Sequence, residues 1–452
     1  MKSSNNMTKF GFGGLLSVAL GLFTMSAAHA QLTTLTSFTA SNGAFPQAGL
    51  TLSSDGTTLY GTTIYAGSEG GGTVFSLSTS GGMPDTLADF NRYSSGSDGS
   101  DPLGDLTLSS DGSTLYGTTK VGGYDNAGTV FSVPVTGGGA TTLADLNGTD
   151  GSQPYAGLTL TGGNLYGTTS GGGTNSAGTV FSVPVPSGPP SLATPSVLVN
   201  FDGNSYGSDG AYPYAGLIQS LNESTLYGTT SQGGVYFGTV FSMPVTGSTP
   251  TTPTTLTSFS GSSTGGGFPT AKLTLSLDGT TLYGTTTSGG THGLGTVFSL
   301  PVGGGTPDIL ASFNGSSPSA GLTLVGGMLY GTTTGGGIYG DGTVFSLPVG
   351  GGAITTLFSF DGADGTDPAA NLTASADGST LYGTTESGGD NNFGTVFAIA
   401  VPEPSSWSLL LCGLGLLAFW RYRTWPGACS NFLSTAALRT THECVTLPTQ
   451  PE

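Results

Sequence analysis

The motif Leu-Tyr-Gly-Thr-Thr occurs seven times in this chain and constrains its fold more than any other feature. The copies begin at Leu59, Leu115, Leu165, Leu226, Leu282, Leu329 and Leu381. A second motif, Gly-Thr-Val-Phe, follows each copy, beginning at Gly72, Gly128, Gly178, Gly238, Gly295, Gly342 and Gly394. Self-similarity at this spacing is the signature of a repeat architecture, in which neighbouring units bury each other's apolar faces.

Each unit is predicted to hold four short strands. In the second unit these are residues 105–109, 114–119, 128–133 and 141–146, and Asp111-Gly112 marks a tight hairpin between the first two. The third strand has apolar residues on both of its faces, which indicates a sheet packed between two neighbouring sheets.

Seven four-stranded units predict an all-β fold, a seven-bladed β-propeller over residues 31–400. The strand at residues 35–38 precedes the first unit, and no such strand follows the last one at 394–399. We therefore expect the first strand to complete the last blade and close the ring. The alternative is a linear β-solenoid, although solenoid coils are usually shorter than these units.

The repeats resemble a known family. Leu-Tyr-Gly-Thr-Thr, paired glycines and Gly-Thr-Val-Phe resemble the GloVer tandem repeat across nearly all of residues 31–400. The resemblance implies an exported β-rich protein and brings no established activity.

The N-terminus is typical of a signal peptide, residues 1–30. Lys2 and Lys9 precede an apolar run at residues 10–25, and Ala28-His29-Ala30 is a small-x-small cleavage site. We expect signal peptidase to cut after Ala30, so that the mature chain begins near Gln31.

The C-terminus carries a second signal, residues 401–423. Pro402, Glu403 and Pro404 precede an apolar run at residues 407–420, and Arg421 and Arg423 follow it. The run has 14 residues where a full bilayer span needs about 20, and its flanks extend it enough to predict a transmembrane helix. The arginines favour the cytoplasmic side, which places the repeats outside the cell.

This tail resembles the PEP-CTERM sorting signal. The resemblance implies that an exosortase recognises and removes the tail during surface sorting, often in bacteria that make exopolysaccharide. Such tails normally stop soon after the basic cluster, whereas residues 424–452 follow here. We expect those residues to be a disordered extension or an artefact of the reading frame.

The charge and the cysteines exclude several functions. Residues 31–401 contain 23 acidic and three basic side chains, Arg92, Lys120 and Lys272. Such a body does not bind nucleic acid by neutralising phosphates. All three cysteines lie in the last tenth of the chain, so the repeats have no disulfide framework and no thiolate metal site.

The candidate metal site is Asp361, Asp364 and Asp367, three carboxylates spaced by three on a Gly-rich loop. Carboxylates on such loops are ligands that Ca²⁺ prefers, so calcium is the one cofactor that the sequence suggests. The alternative is that each aspartate caps its own turn.

No catalytic site is predicted. His292 is the only histidine of the repeats, and nothing around it resembles a nucleophile elbow. A tyrosine recurs in every Leu-Tyr-Gly-Thr-Thr motif; we expect it to pack between blades, the alternative being a sugar-binding ring. We expect a non-enzymatic structural or interaction module at the cell surface, outer membrane or extracellular matrix, with exopolysaccharide or surface proteins as partners. The alternative is a carbohydrate-binding or carbohydrate-active propeller.

Overall fold

The structure, a computed structural model, describes residues 31–92, 99–188, 191–203 and 209–402. Throughout these residues the regular elements are β-strands. The strands are β1 (Leu32–Ser37), β2 (Thr51–Leu52), β3 (Thr58–Thr63), β4 (Gly70–Ser78), β5 (Asp85–Asn91), β6 (Thr107–Leu108), β7 (Thr114–Thr119), β8 (Thr129–Pro134), β9 (Thr141–Asp145), β10 (Thr159–Thr161), β11 (Asn164–Thr169), β12 (Thr179–Pro184), β13 (Ser196–Asn200), β14 (Ile218–Gln219), β15 (Thr225–Thr230), β16 (Thr239–Pro244), β17 (Thr254–Ser258), β18 (Gly266–Gly267), β19 (Thr274–Leu275), β20 (Thr281–Thr286), β21 (Ser288–Gly289), β22 (Thr296–Pro301), β23 (Asp308–Ser312), β24 (Thr323–Val325), β25 (Met328–Thr333), β26 (Thr343–Pro348), β27 (Thr355–Ser359), β28 (Thr373–Ala374), β29 (Thr380–Thr385) and β30 (Thr395–Ala400).

The strands form seven four-stranded antiparallel sheets, the blades of a β-propeller. Blades 1 to 6 each use four strands in chain order: β2–β5, β6–β9, β10–β13, β14–β17, β19-β20-β22-β23 and β24–β27. The small pair β18 and β21 lies outside the blades.

Blade 7 is completed from the other end of the chain. It consists of β28, β29 and β30 with β1 as its outer strand, and Leu32 lies opposite Ile399 while Ser37 lies opposite Thr395. This confirms the predicted ring and its closure by one strand, a pairing that a linear solenoid does not make.

The predicted strands of the second unit agree with β6 to β9 except at the channel. β7 has the predicted bounds, and the hairpin at Asp111-Gly112 joins it to β6. β6 is shorter than residues 105–109, and β2, β14, β19 and β28 also have only two residues. Asp105 lies ahead of β6, where its carboxylate accepts a hydrogen bond from the Gly49 backbone.

The hydrophobic core lies between blades. Val74 and Phe90 of blade 1 pack with Leu115 and Phe131 of blade 2, and the rings of Phe90 and Phe131 meet edge to face at 5.0 Å. Full burial of one such side chain stabilises the fold by about 1.5–3 kcal/mol.

The repeated tyrosines are part of this core. All seven are between 0 and 8% exposed: Tyr60, Tyr116, Tyr166, Tyr227, Tyr283, Tyr330 and Tyr382. Burial raises the pKa of Tyr116 and Tyr330. Packing between blades is therefore confirmed, and rings this deeply buried offer no face to a sugar.

The glycine of Leu-Tyr-Gly-Thr-Thr makes room for the phenylalanine of Gly-Thr-Val-Phe. A Cβ added to Gly167 would lie 2.5 Å from Cζ of Phe181, and the other six copies are equally crowded, at 2.5 to 2.7 Å. The two motifs recur together because each shapes the other's packing.

The two threonines of the motif tie the ring together. The second bonds within its blade, as Thr169 Oγ1 does to Thr179 Oγ1 at 2.9 Å. In every blade except blade 1 the first donates across to the next blade, as Thr168 Oγ1 does to the Ala215 carbonyl at 2.9 Å. Thr384 closes the ring by donating to the Ala48 carbonyl at 3.0 Å.

A second set of inter-blade bonds runs around the innermost strands. Thr159 Oγ1 donates to the Leu217 carbonyl at 2.6 Å, and Thr373 Oγ1 donates to the Leu50 carbonyl at 2.5 Å across the closure. Blade 4 has Ile218 at this position, so it supplies no hydroxyl to the series.

Candidate functional site

The ring has two faces that differ in character. We call the side where the innermost strands turn back into the second strands the turn face. We call the opposite side the loop face; it carries the loops between the second and third strands and the proline-containing segments that lead into the channel.

The turn face carries one self-contained hairpin in four of the seven blades. In blade 1 the Asp55 carboxylate accepts hydrogen bonds from the Ser53 hydroxyl at 2.6 Å and from the Thr57 backbone at 3.0 Å. The same turn recurs at Asp111, Asp278 and Asp377. The serine hydroxyls, first among the donors, lower the pKa of all four carboxylates, that of Asp377 to about 2.

The loop face holds a constant backbone with varied side chains. In six blades the residue before the proline has a positive φ of 54 to 60°. Its N–H donates to the preceding blade and its carbonyl accepts from its own blade; Gln153 N bonds to Ala127 O, and Ser170 N bonds to Gln153 O. The side chains at this position in the seven copies are Phe45, Asp101, Gln153, Tyr212, Phe268, Ser317 and Asp367.

A ring of seven positions narrows the central channel. Four copies have glycine and three carry polar side chains: Gly49, Asp105, Gly157, Gly216, Lys272, Gly321 and Asn371. Asp105 accepts from the Gly49 backbone at 2.7 Å and from Asn371 Nδ2 at 3.3 Å. The Asn371 carboxamide in turn accepts from the Gly321 backbone at 2.5 Å. These bonds brace the channel between blades 1, 2, 6 and 7.

Above this ring the channel holds a small cavity. Its volume is about 140 Å³, and Gln47, Leu103, Tyr155 and Tyr214 line it from the loop face. Pockets for drug-sized ligands are usually about 300–1,000 Å³. This cavity is below that range. A second cavity, of about 370 Å³, borders Asp105, Lys272 and Asn371 together with the innermost strands of blades 5 to 7.

Beside the channel mouth, the loop face of blades 1 to 4 gathers aromatic and charged side chains. We call this group the mouth cluster: Tyr65, Arg92, Asp101, Lys120, Tyr155 and Tyr214.

Stacking fixes the geometry of the mouth cluster. The Arg92 guanidinium lies 4.7 Å from the centre of the Tyr65 ring, and Lys120 Nζ lies 4.8 Å from the centre of the Tyr155 ring. Tyr155 and Tyr214 meet edge to face at 5.2 Å. Cations over aromatic rings are attracted by the ring quadrupole, so both charges are held in place.

The mouth cluster contains two cations, Arg92 and Lys120, and one carboxylate, Asp101. Burial raises the pKa of Asp101, against the opposing effect of Arg92 and Lys120. A hydrogen bond with Tyr155 is the main cause that raises the pKa of Lys120. Asp101 Oδ1 is shielded from solvent and accepts no hydrogen bond within the described part of the chain.

The three aspartates of the predicted calcium site lie on the loop face between blades 6 and 7. Asp361 Oδ1 accepts from the backbones of Ala363 and Asp364, at 3.1 and 3.3 Å, which is the turn-capping alternative. Asp364 Oδ1 accepts from Thr34 Oγ1 at 3.4 Å, and Asp367 is the positive-φ residue before Pro368.

The calcium site stays a prediction. Burial, together with the nearby Asp361, raises the pKa of Asp364. In the ranges that the structure describes, no group of three or more His, Cys, Asp and Glu side chains is close enough to hold a metal ion.

The remaining predicted residues lie in an exposed loop or at or beyond the ends of the described residues. His292 is exposed, with its Nδ1 3.0 Å from Thr291 Oγ1. Ala28, Ala30, Glu403, Pro404, Arg421 and Arg423 lie outside the described residues, as does the apolar run at 407–420, and Pro402 is the last described residue. No helix within the described ranges is long and apolar enough to cross a membrane.

The mouth cluster and the polar channel residues were not found by sequence reasoning. The signal was present: Asp105, Lys272 and Asn371 stand where other copies have glycine, and Lys120 stands where others have Ile, Ser, Thr or Glu. Such departures become visible when the seven copies are aligned on the proline and on the Leu-Tyr-Gly-Thr-Thr motif.

Ring closure, interlocking motifs and a braced channel define a seven-bladed β-propeller built from one repeated blade. The chain belongs to the Gloeobacter/Verrucomicrobia repeat family, which matches residues 17–241 and 223–410. The PEP-CTERM protein-sorting motif matches residues 400–423 and agrees with an exported, surface-sorted protein. Both resemblances noted in the sequence are thereby confirmed.

Solved structures share the architecture. A puromycin-hydrolysing peptidase from Mycobacterium tuberculosis is 15% identical over 83% of this chain and 55% of its own, with a TM-score of 0.50. The periplasmic gluconolactonase from Pseudomonas aeruginosa is 18% identical over 76% of this chain and 99% of its own, with a TM-score of 0.43. At these identities the likeness concerns the fold alone. No functionally curated protein matches the chain.

Proposed function

We propose that this protein is an exported, exosortase-sorted module that binds a partner at the cell surface or in the extracellular matrix through its loop face, and that it is not an enzyme. The sorting motif supports the destination. The geometry of the two faces supports the binding role.

One observation supports the binding role. Residues that repeat in every copy hold the fold together, whereas residues on the loop face differ from copy to copy. The repeated Tyr, Gly and Thr residues are used up in packing and inter-blade bonds, as Gly167 and Thr168 illustrate. On the loop face, positions that differ between copies are presented on one shared backbone conformation, as Asp101, Gln153 and Tyr212 are. A constant frame that presents varied side chains suits recognition.

The non-enzymatic assignment rests on the bracing of the channel. A catalytic site needs a cavity that holds a substrate against converging acid, base or nucleophile groups. Here Asp105 and Asn371 bond to each other and to the backbones of Gly49 and Gly321, so their polar atoms are engaged within the ring. A carbohydrate-binding propeller is the second candidate, which the aromatic rings of the mouth cluster favour.

The experiment is mass spectrometry of the protein recovered from its native cell surface, with both termini read. A chain that starts near Gln31 and ends between residues 402 and 406 supports export and sorting. An intact chain through Glu452 overturns sorting and leaves a membrane-retained protein. The same preparation should hydrolyse neither lactones nor glycosides; turnover of either would overturn the non-enzymatic assignment.

A further inference from the structure

We propose that the mouth cluster binds a carboxylate-bearing saccharide, such as a uronic acid unit of an acidic glycan. The proposal rests on the binding role of the loop face and names the chemistry of its ligand.

The cations select an anionic group. Arg92 and Lys120 are two of only three basic residues between positions 31 and 401, and both lie on the loop face of blades 1 and 2. Elsewhere the acidic body repels anions, and this repulsion is screened beyond about 8 Å at physiological salt. A carboxylate at the mouth cluster would gain charge-assisted hydrogen bonds from side chains that stacking already orients.

The tyrosines select a ligand with an apolar face. Tyr65 and Tyr214 are 37% and 38% exposed, unlike the buried tyrosines of the repeat motif. Tyrosine offers a large, rigid and amphipathic surface, so it loses little conformational entropy on binding. A pyranose ring presents C–H groups on one side and hydroxyls at its edge, which matches this surface.

The third element is an acceptor. Asp101 borders a hollow of about 310 Å³ that Arg92, Ser100 and Asn126 also line. The Asp101 side chain is half-buried at this hollow. Its carboxylate is an acceptor for a sugar hydroxyl, whereas an acidic peptide would bring mainly further acceptors to it.

The test is isothermal titration calorimetry on the mature protein recovered from cells. The ligands are oligomers of galacturonate, of mannuronate and of hyaluronan, with methyl-esterified oligogalacturonate and poly-glutamate for comparison. At least one uronide should bind. Its methyl ester, which keeps the ring and loses the charge, and poly-glutamate, which keeps the charge and lacks the ring, should each bind at least about tenfold more weakly.

Two variants locate the site. Lys120→Gln removes the charge and Tyr155→Leu removes the ring beneath it, and each should weaken binding about tenfold. Tyr124→Leu is the matched control, because Tyr124 is 88% exposed on the blade 2 loop and should leave both binding and melting temperature unchanged. Melting curves of all three variants separate lost binding from lost folding.

Three results would overturn the proposal: no uronide binds, the ester or poly-glutamate binds equally well, or both variants bind as the parent does. Failure here is distinguishable from failure of the proposed function. A protein with processed termini that binds no uronide removes this ligand and leaves the surface module standing.

Discussion

The two faces of the ring treat their carboxylates in opposite ways. On the turn face, hydrogen bonds from serine and threonine lower the pKa of Asp55, Asp111, Asp278 and Asp377. On the loop face, burial raises the pKa of Asp101, Asp145, Asp150 and Asp364. Hydrogen bonds therefore have the largest effect on the pKa of these turn-face carboxylates, and burial has the largest effect on the pKa of these loop-face carboxylates.

This difference supports the proposal that binding takes place on the loop face. A turn-face aspartate completes its own hairpin and needs nothing from outside. Loop-face aspartates sit among other varied side chains, and shifted carboxylates outside a structural network are candidates for binding. The framework between the faces should tolerate almost no change, and the loop face should tolerate much.

The largest expected effect comes from a framework glycine. Gly167→Ala places a Cβ against the Phe181 ring, and we expect a loss of about 2–3 kcal/mol in the free energy of unfolding, measured by chemical denaturation. Gly171→Ala is the loop-face control in the same blade, because the nearest atom is the hydroxyl of Ser152, which can rotate away. Equal losses in the free energy of unfolding for the two variants would contradict the distinction between a framework that tolerates little change and a loop face that tolerates much.

A smaller effect on the free energy of unfolding is expected at the first threonine of the repeat motif, and it should differ between two copies of that motif. Thr168→Val removes the donor to the Ala215 carbonyl, and we expect it to cost about 1–2 kcal/mol. Thr62→Val should be neutral or stabilising, since the Thr62 hydroxyl is buried and has no partner within the described residues. The measurement is again the free energy of unfolding. A loss at Thr62 as large as that at Thr168 would show that the hydroxyl bond is not what the motif preserves.

These pairs also show what the sequence could and could not predict. The fold was predictable because repetition multiplied weak signals sevenfold: the Asp111-Gly112 hairpin and the unpaired first strand were readable directly. The mouth cluster was not, because Tyr65, Lys120 and Tyr214 come from different copies that only the ring brings together. The pairing of Gly167 with Phe181 was predictable in part. The sequence shows that their two motifs recur together, and only the packing of the Phe181 ring against Gly167 explains why.

The pH dependence of stability should reveal both faces at once. Raised pKa values on the loop face mean that the folded state takes up protons before the unfolded state does, so the melting temperature should rise as pH falls towards the ordinary aspartate value of 3.8. Lowered values on the turn face mean that the unfolded state takes up protons from the ordinary aspartate value of 3.8 down to about 2, so stability should fall there.

Thermal melts across the pH range would record that profile. Single substitutions test whether loop-face carboxylates cause its rise and turn-face carboxylates cause its fall at acid pH. Asp145→Asn should flatten the rise, because it removes a carboxylate whose pKa burial raises. Asp377→Asn should soften the acid fall and leave the rise unchanged. A profile in which either variant alters the opposite limb would contradict the assignment of raised and lowered carboxylates to separate faces.

The smallest expected effect tests the freedom of the loop face itself. Gln153 is exposed, with a φ of 57°, and its backbone bonds to Ala127 and Ser170 hold the segment. Gln153→Asn keeps a residue that tolerates this conformation, so the free energy of unfolding should change by less than about 0.5 kcal/mol. Gln153→Val, which is β-branched and strained at positive φ, should cost more. If the asparagine variant lost as much as the valine variant, the side chain and not the backbone would be holding this face, and the loop face would belong to the framework after all.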